Sequence, residues 1–83
     1  MIQEVINMIP IIDVKATGVN MRRLMDERNI TVKDIAAELS LGSLYSIYKW
    51  LQGRGLPSVD NLVGLSHIFQ VSMEDILVLE ERG

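Results

Sequence analysis

Apolar residues recur along this chain at the three- and four-residue spacings of helices, and no segment sustains the strict alternation of a half-buried strand. Ile2, Val5, Ile6 and Ile9 stand at i, i+3, i+4 and i+7, a stripe that Pro10 interrupts because proline has no amide proton and crowds the preceding turn. The β-branched pair Ile11 and Ile12 follows, so residues 2–12 read equally as helix or strand. From Val14 to Arg28, Val14, Met21, Leu24 and Met25 back a polar face of Asn20, Arg22, Arg23, Asp26 and Glu27. That pattern predicts a helix stopped by Asn29, a residue that tolerates left-handed backbone.

Further helices are signalled by hydroxyls placed to accept from the free amides of a first turn. Thr31 with Asp34 has the spacing of a capping box ahead of Ile35, Ala36 and Leu39. Ser43 opens a segment through Ile47, Trp50 and Leu51 to Gln52, closed by Gly53-Arg54-Gly55. Ser58, after Pro57, precedes the stripe of Val59, Leu62, Val63, Leu65, Ile68 and Phe69, and Ser72 with Asp75 repeats the box before Ile76, Leu77 and Leu79. The expected class is all-α, a compact bundle of about five short helices. Residues 1–13 read as an apolar N-terminal arm, 14–79 as the helical domain and 80–83 as an acidic tail.

Eighty-three residues allow one small domain, and 48% hydrophobic content supplies a core for it. The absence of cysteine excludes a disulfide framework and thiolate metal ligands, and accords with a reducing cytoplasm. The longest uncharged stretch, Asn61 to Met73, is 13 residues, short of the ~20 that a membrane span requires. Glu4 and the lack of early basic residues argue against a secretory signal peptide. A net charge of −3 with a pI near 4.9 argues, taken whole, against nucleic acid as a partner. The distribution differs: residues 14–58 hold seven basic against four acidic side chains, net +3, while 1–13 and 59–83 are acidic. A basic middle permits a local anionic partner, and ordinary solvated helix faces account for it as well.

The segments Thr31 to Leu39 and Ser43 to Gln52, joined by Ser40-Leu41-Gly42, have the form in which one helix braces on a nucleic-acid backbone and presents the next to a major groove. Five pieces in register extend this: Met21 to Leu24, Ile30 to Ala36, Ile47 to Trp50, Gly53 with Leu56-Pro57-Ser58, and Val71 to Leu77. From about Gly18 to Leu77 the chain resembles the lambda-repressor-like (Xre/Cro) helix-turn-helix family of DNA-binding regulators. Ala36 is small where two helices must approach, and Ile47 and Trp50, three apart, are expected to plug the core.

The resemblance implies double-stranded DNA as partner and helix 43–52 as the reader. Ser43, Leu44, Tyr45, Ser46 and Lys49 lie in its first turns, from which base edges are read. Leu44, Tyr45 and Lys49 fall on the family's base-reading positions, with Lys49 suited to guanine O6 or N7 and Leu44 to a thymine methyl. Backbone phosphates are expected at Lys33, at the amides of Thr31 and Ser43, and at Arg54 beside the Gly53 amide. Arg22 and Arg23 read as solvated. The pattern departs from the family where Val32 replaces a phosphate-gripping Gln, where Ser40 replaces the turn's usual Gly, and where Met25 and Leu51 replace an Arg–Glu pair. An apolar pair can stand in for a buried ion pair without loss, so Met25 and Leu51 are expected to touch.

The lone His67 lacks cysteine neighbours and an orienting carboxylate, which leaves no metal site and no catalytic constellation. Gly53-Arg54-Gly55 lacks the context of a phosphate-binding loop. No enzyme activity, cofactor or small-molecule ligand is expected. Two functions remain: a sequence-specific regulator, a repressor binding a palindromic operator as a homodimer in the cytoplasm, and a protein-interaction module or antitoxin-like partner with little DNA binding. The apolar arm fits either a dimer contact or packing on the domain itself.

Overall fold

The computed structural model describes residues 9–81. Its helices are α1 (Val14–Arg28), α2 (Val32–Glu38), α3 (Tyr45–Leu51), α4 (Val59–Phe69) and α5 (Met73–Ile76), with no strand among the described residues. The expected all-α bundle with a helix-turn-helix is therefore the fold. Most of the apolar arm, including Ile2, Val5 and Ile6, lies outside the described residues.

Local chemistry sets the helix starts. The capping boxes form as the sequence predicts: Asp34 N donates to Thr31 Oγ1 at 3.1 Å while Thr31 N donates to Asp34 Oδ2 at 2.9 Å, and Ser72 with Asp75 does the same. Ser58 accepts from Asn61 N at 3.2 Å, and Asp13, not foreseen in that role, caps α1 through Ala16 N at 2.9 Å. Each such cap contributes about 1 kcal/mol. The expected start of the third helix is corrected. Ser43 lies two residues before α3, whose cap position is Leu44 with no side-chain cap. The Ser43 hydroxyl instead accepts from Tyr45 N at 3.0 Å across a tight turn, and α3 is accordingly shorter than 43–52.

Left-handed residues set the helix ends. Asn29, Ser40, Gly53 and Gln70 all have positive φ, and in each case the next amide bonds back to the carbonyl five residues earlier, at 2.9 to 3.1 Å. This is the double turn that consumes the orphan carbonyls of a helix end. Ser40 adopts at the α2–α3 turn the conformation that glycine holds most cheaply.

The core consists of Met21, Leu24 and Met25 from α1, Val32, Ile35 and Ala36 from α2, Ile47 and Trp50 from α3, Leu65 and Phe69 from α4, and Ile76. Ala36, Ile47 and Trp50 thus occupy the places expected of them. Val32 is buried in the core, a place that suits an apolar residue. Met25 is buried in this cluster and Leu51 packs against it half-buried.

Two polar residues of α1 dock the C-terminal end. Buried Thr17 accepts from Val78 N at 2.9 Å, and Asn20 donates to the carbonyls of Asp75 and Ile76 at 2.9 and 3.0 Å. Ile12 pairs with Leu79 in an isolated antiparallel bridge, flanked by Asp13 N to Val78 O and Glu80 N to Ile11 O, both 2.7 Å. Among the described residues no helix is long and apolar enough to cross a membrane.

Candidate nucleic-acid interface

Helix α3 is held from behind and free in front. Ile47 and Trp50 face inward, and α1 crosses it so closely that a Cβ on Gly18 would lie 2.5 Å from the Trp50 carbonyl oxygen. No side chain fits between these backbones, so Gly18 sets the depth at which α3 is seated. With one face pinned, the opposite face is left to solvent: Tyr45 is 61% exposed, Tyr48 43%, and Lys49 is also exposed.

Tyr45 and Lys49, one turn apart, form an outer ridge that Arg54 joins from the following turn. The Arg54 guanidinium lies 5.8 Å from the centre of the Tyr45 ring, within cation–π range, and its Nε donates to Gln52 Oε1 at 2.8 Å. The stem of Lys49 crosses Gly55, where a Cβ would come within 2.8 Å of Lys49 Cε and 3.5 Å of Nζ. Two cations and a phenol therefore share one edge of α3, on a turn that Gly53 allows through its φ of 73°. Sequence reasoning missed Gly55, whose role rests on where a side chain from the preceding helix comes to lie.

The other expected residues occupy different situations. Thr31 and Lys33 are exposed at the start of α2, beside the start of α3. The Thr31 amide expected to meet a phosphate is already donated to Asp34 and is not free for one. That backbone bond, with the hydroxyl bond, holds the Asp34 carboxyl below its ordinary value of 3.8 and keeps it ionised. Ser43 is exposed, Ser46 is partly exposed, and Leu44 is half-buried against the core, leaving only part of its side chain to an outside partner. Arg23 lies outside this group, engaged by Glu27 at 2.7 Å and by Asn20.

A short helix pinned by its apolar face, braced across a tight turn by a second helix and edged by cations, defines a helix-turn-helix DNA-binding domain. Residues 20–82 match the Cro/C1-type HTH DNA-binding domain, and the chain belongs to that family. Comparison with curated proteins gives no match, and comparison with solved structures gives none.

Proposed function

We propose that this protein is a sequence-specific transcriptional regulator, a repressor that binds a palindromic operator as a symmetric homodimer in the cytoplasm and carries out no catalysis. In this reading α3 enters the major groove, Tyr45 and Lys49 meet base edges with Ser46, Ser43 and Leu44 beside them, and Lys33, Thr31 and Arg54 meet phosphates. Two copies would place their reading helices about one helical turn, roughly 34 Å, apart. The observation that carries the reading is the exposure of Tyr45 and Lys49 on a helix whose opposite face is pinned by Ile47 and Trp50.

Retention of mixed genomic DNA fragments by the purified protein at two salt concentrations tests it. Selective retention of a fragment, with affinity falling steeply as salt rises, is the expected result. Equal and negligible retention of all fragments at low salt would leave the protein-interaction reading. That second reading is favoured by exposed Val59 and Val63, one turn apart on α4, and by the acidic charge of residues 59–83.

A further inference from the structure

Helix α3 has a second border, where the resemblance implied phosphates at Thr31 and Lys33 but pointed to no residue of α1 or of α3's own flank. Beside the Tyr45–Lys49–Arg54 ridge, on the Leu44–Tyr48 flank of α3, lies an open cleft of about 590 Å³, bounded by the last turns of α1 and the start of α2. Met25 and Val32 line it from the core, and Arg22, Lys33, Tyr48, Asp26, Asn29 and Thr31 supply its polar groups. Leu44 and Tyr48, one turn apart, turn α3's flank into it. Among the described residues, Arg23 and Arg28 pair with Glu27, whereas Arg22 and Lys33 form no ion pair.

From these positions we infer that the cleft is a phosphodiester site, in which Arg22 from α1, Lys33 from α2 and the Tyr48 phenol converge on one DNA strand while the Arg54 ridge meets the other. The inference rests on the DNA-binding reading and adds Arg22 and Tyr48 to its contact residues. The reasoning is geometric. A helix with side chains measures about 10–12 Å across and the major groove about 12 Å, so a helix seated there has a phosphate backbone along each flank. Cations are useful to such a helix on both borders, and α3 has them on both. Two guanidinium or ammonium groups against the single carboxylate of Asp26 leave the cleft net cationic, in a protein that is anionic as a whole. A phenol lining the same cleft as two cations offers a neutral donor to a phosphate oxygen and needs no charge partner of its own.

The test uses the full chain and a 30-base-pair duplex of mixed sequence, because phosphate contacts do not depend on the base sequence. Affinity is read by fluorescence anisotropy over a salt series, with thermal unfolding measured for each variant. Arg22→Ala is expected to weaken binding about 3- to 10-fold at low salt and to lower the slope of log affinity against log salt by about 0.9, the loss of one phosphate contact. Tyr48→Phe is expected to weaken binding about 2- to 3-fold with the slope unchanged, because the lost donor is uncharged. Asp26→Asn is expected to tighten binding about 2-fold by removing the one carboxylate that faces the phosphate. Wild-type binding with Arg22→Ala and Tyr48→Phe equal to it in affinity and slope overturns this inference alone. Weakened binding with an unchanged slope and a lowered melting temperature for Arg22→Ala also overturns it, since that is the mark of a structural role. No binding by the wild-type chain at any salt overturns the DNA-binding reading itself.

Discussion

Gly18 and Trp50 stand so close that the Cα of one is packed beneath the carbonyl oxygen of the other, and a methyl group at Gly18 would lie 2.5 Å from that oxygen and 2.8 Å from the Leu51 oxygen. Both obstacles are backbone, so neither can swing aside. Gly18→Ala gains helix propensity but forces α1 and α3 apart, for an expected net loss of about 1–2 kcal/mol. Thermal unfolding by circular dichroism checks this, and a melting temperature above that of the parent would refute the close crossing.

Ser40 holds a φ of 55° at the end of α2 and so bears a strain that glycine does not. Ser40→Gly is expected to stabilise the protein by about 0.5 kcal/mol, the relief of left-handed strain exceeding the added freedom of the unfolded chain. Denaturant midpoints at constant slope measure it; a lower midpoint contradicts the prediction.

The Asp34 carboxyl titrates below its ordinary value of 3.8 because Thr31 donates its amide to it, with the Thr31 hydroxyl adding to the effect. A depressed folded pKa means that the ionised group stabilises the protein above the unfolded value, and that this is lost as pH falls through the folded one. The wild type is therefore expected to melt above Asp34→Asn at about pH 6 and to converge with it by about pH 2. A gap between the two that stays constant over that range would count against the bond.

Lys49 and Arg54 sit on one edge of α3, but only Lys49 is on the helix itself. Lys49→Ala is expected to reduce discrimination between duplexes, by about 1–3 kcal/mol at the base that the proposed function assigns to it. Arg54→Ala is expected to weaken all duplexes alike and to lower the salt slope by about 0.9. Competition binding against a randomised duplex pool separates the two; the opposite assignment of effects would exchange their roles.

At Gly55 the close neighbour is the far end of a flexible side chain. Gly55→Ala should leave stability within about 0.5 kcal/mol of the parent while displacing the Lys49 ammonium. Duplex affinity is the sensitive readout, with a loss of about 3-fold expected if the resting place of Lys49 matters to binding. Equal affinity would show that Lys49 finds its partner from any starting rotamer.

What could be read in advance was whatever one turn of chain determines. Thr31 with Asp34, Ser58, Ser72 with Asp75, and Asn29 act on amides and carbonyls within a few residues, and each does so in the structure. Ile47 and Trp50 were legible because a three-residue spacing fixes a shared face. Ser43 was misplaced because its hydroxyl has two local amides to choose between, and a bond to Tyr45 N serves a turn as readily as a helix. Gly18, Gly55 and the Arg22–Tyr48 cleft depend on helices crossing, which no local pattern encodes. The placement of α3's exposed residues followed from the family likeness; the border with α1 did not, because Arg22 looks like any solvated arginine until α3 is laid beside it.

The pairing of Ile12 with Leu79 gives the protein a mechanical character. Because the two segments run antiparallel, chain entering at Ile11 and leaving at Glu80 does so on the same side of the bridge. A force drawing those points apart peels the contacts one after another instead of shearing them together. The Glu80 to Ile11 bond would part first and the Asp13 to Val78 bond second, with little resistance, before any tension reaches the helices.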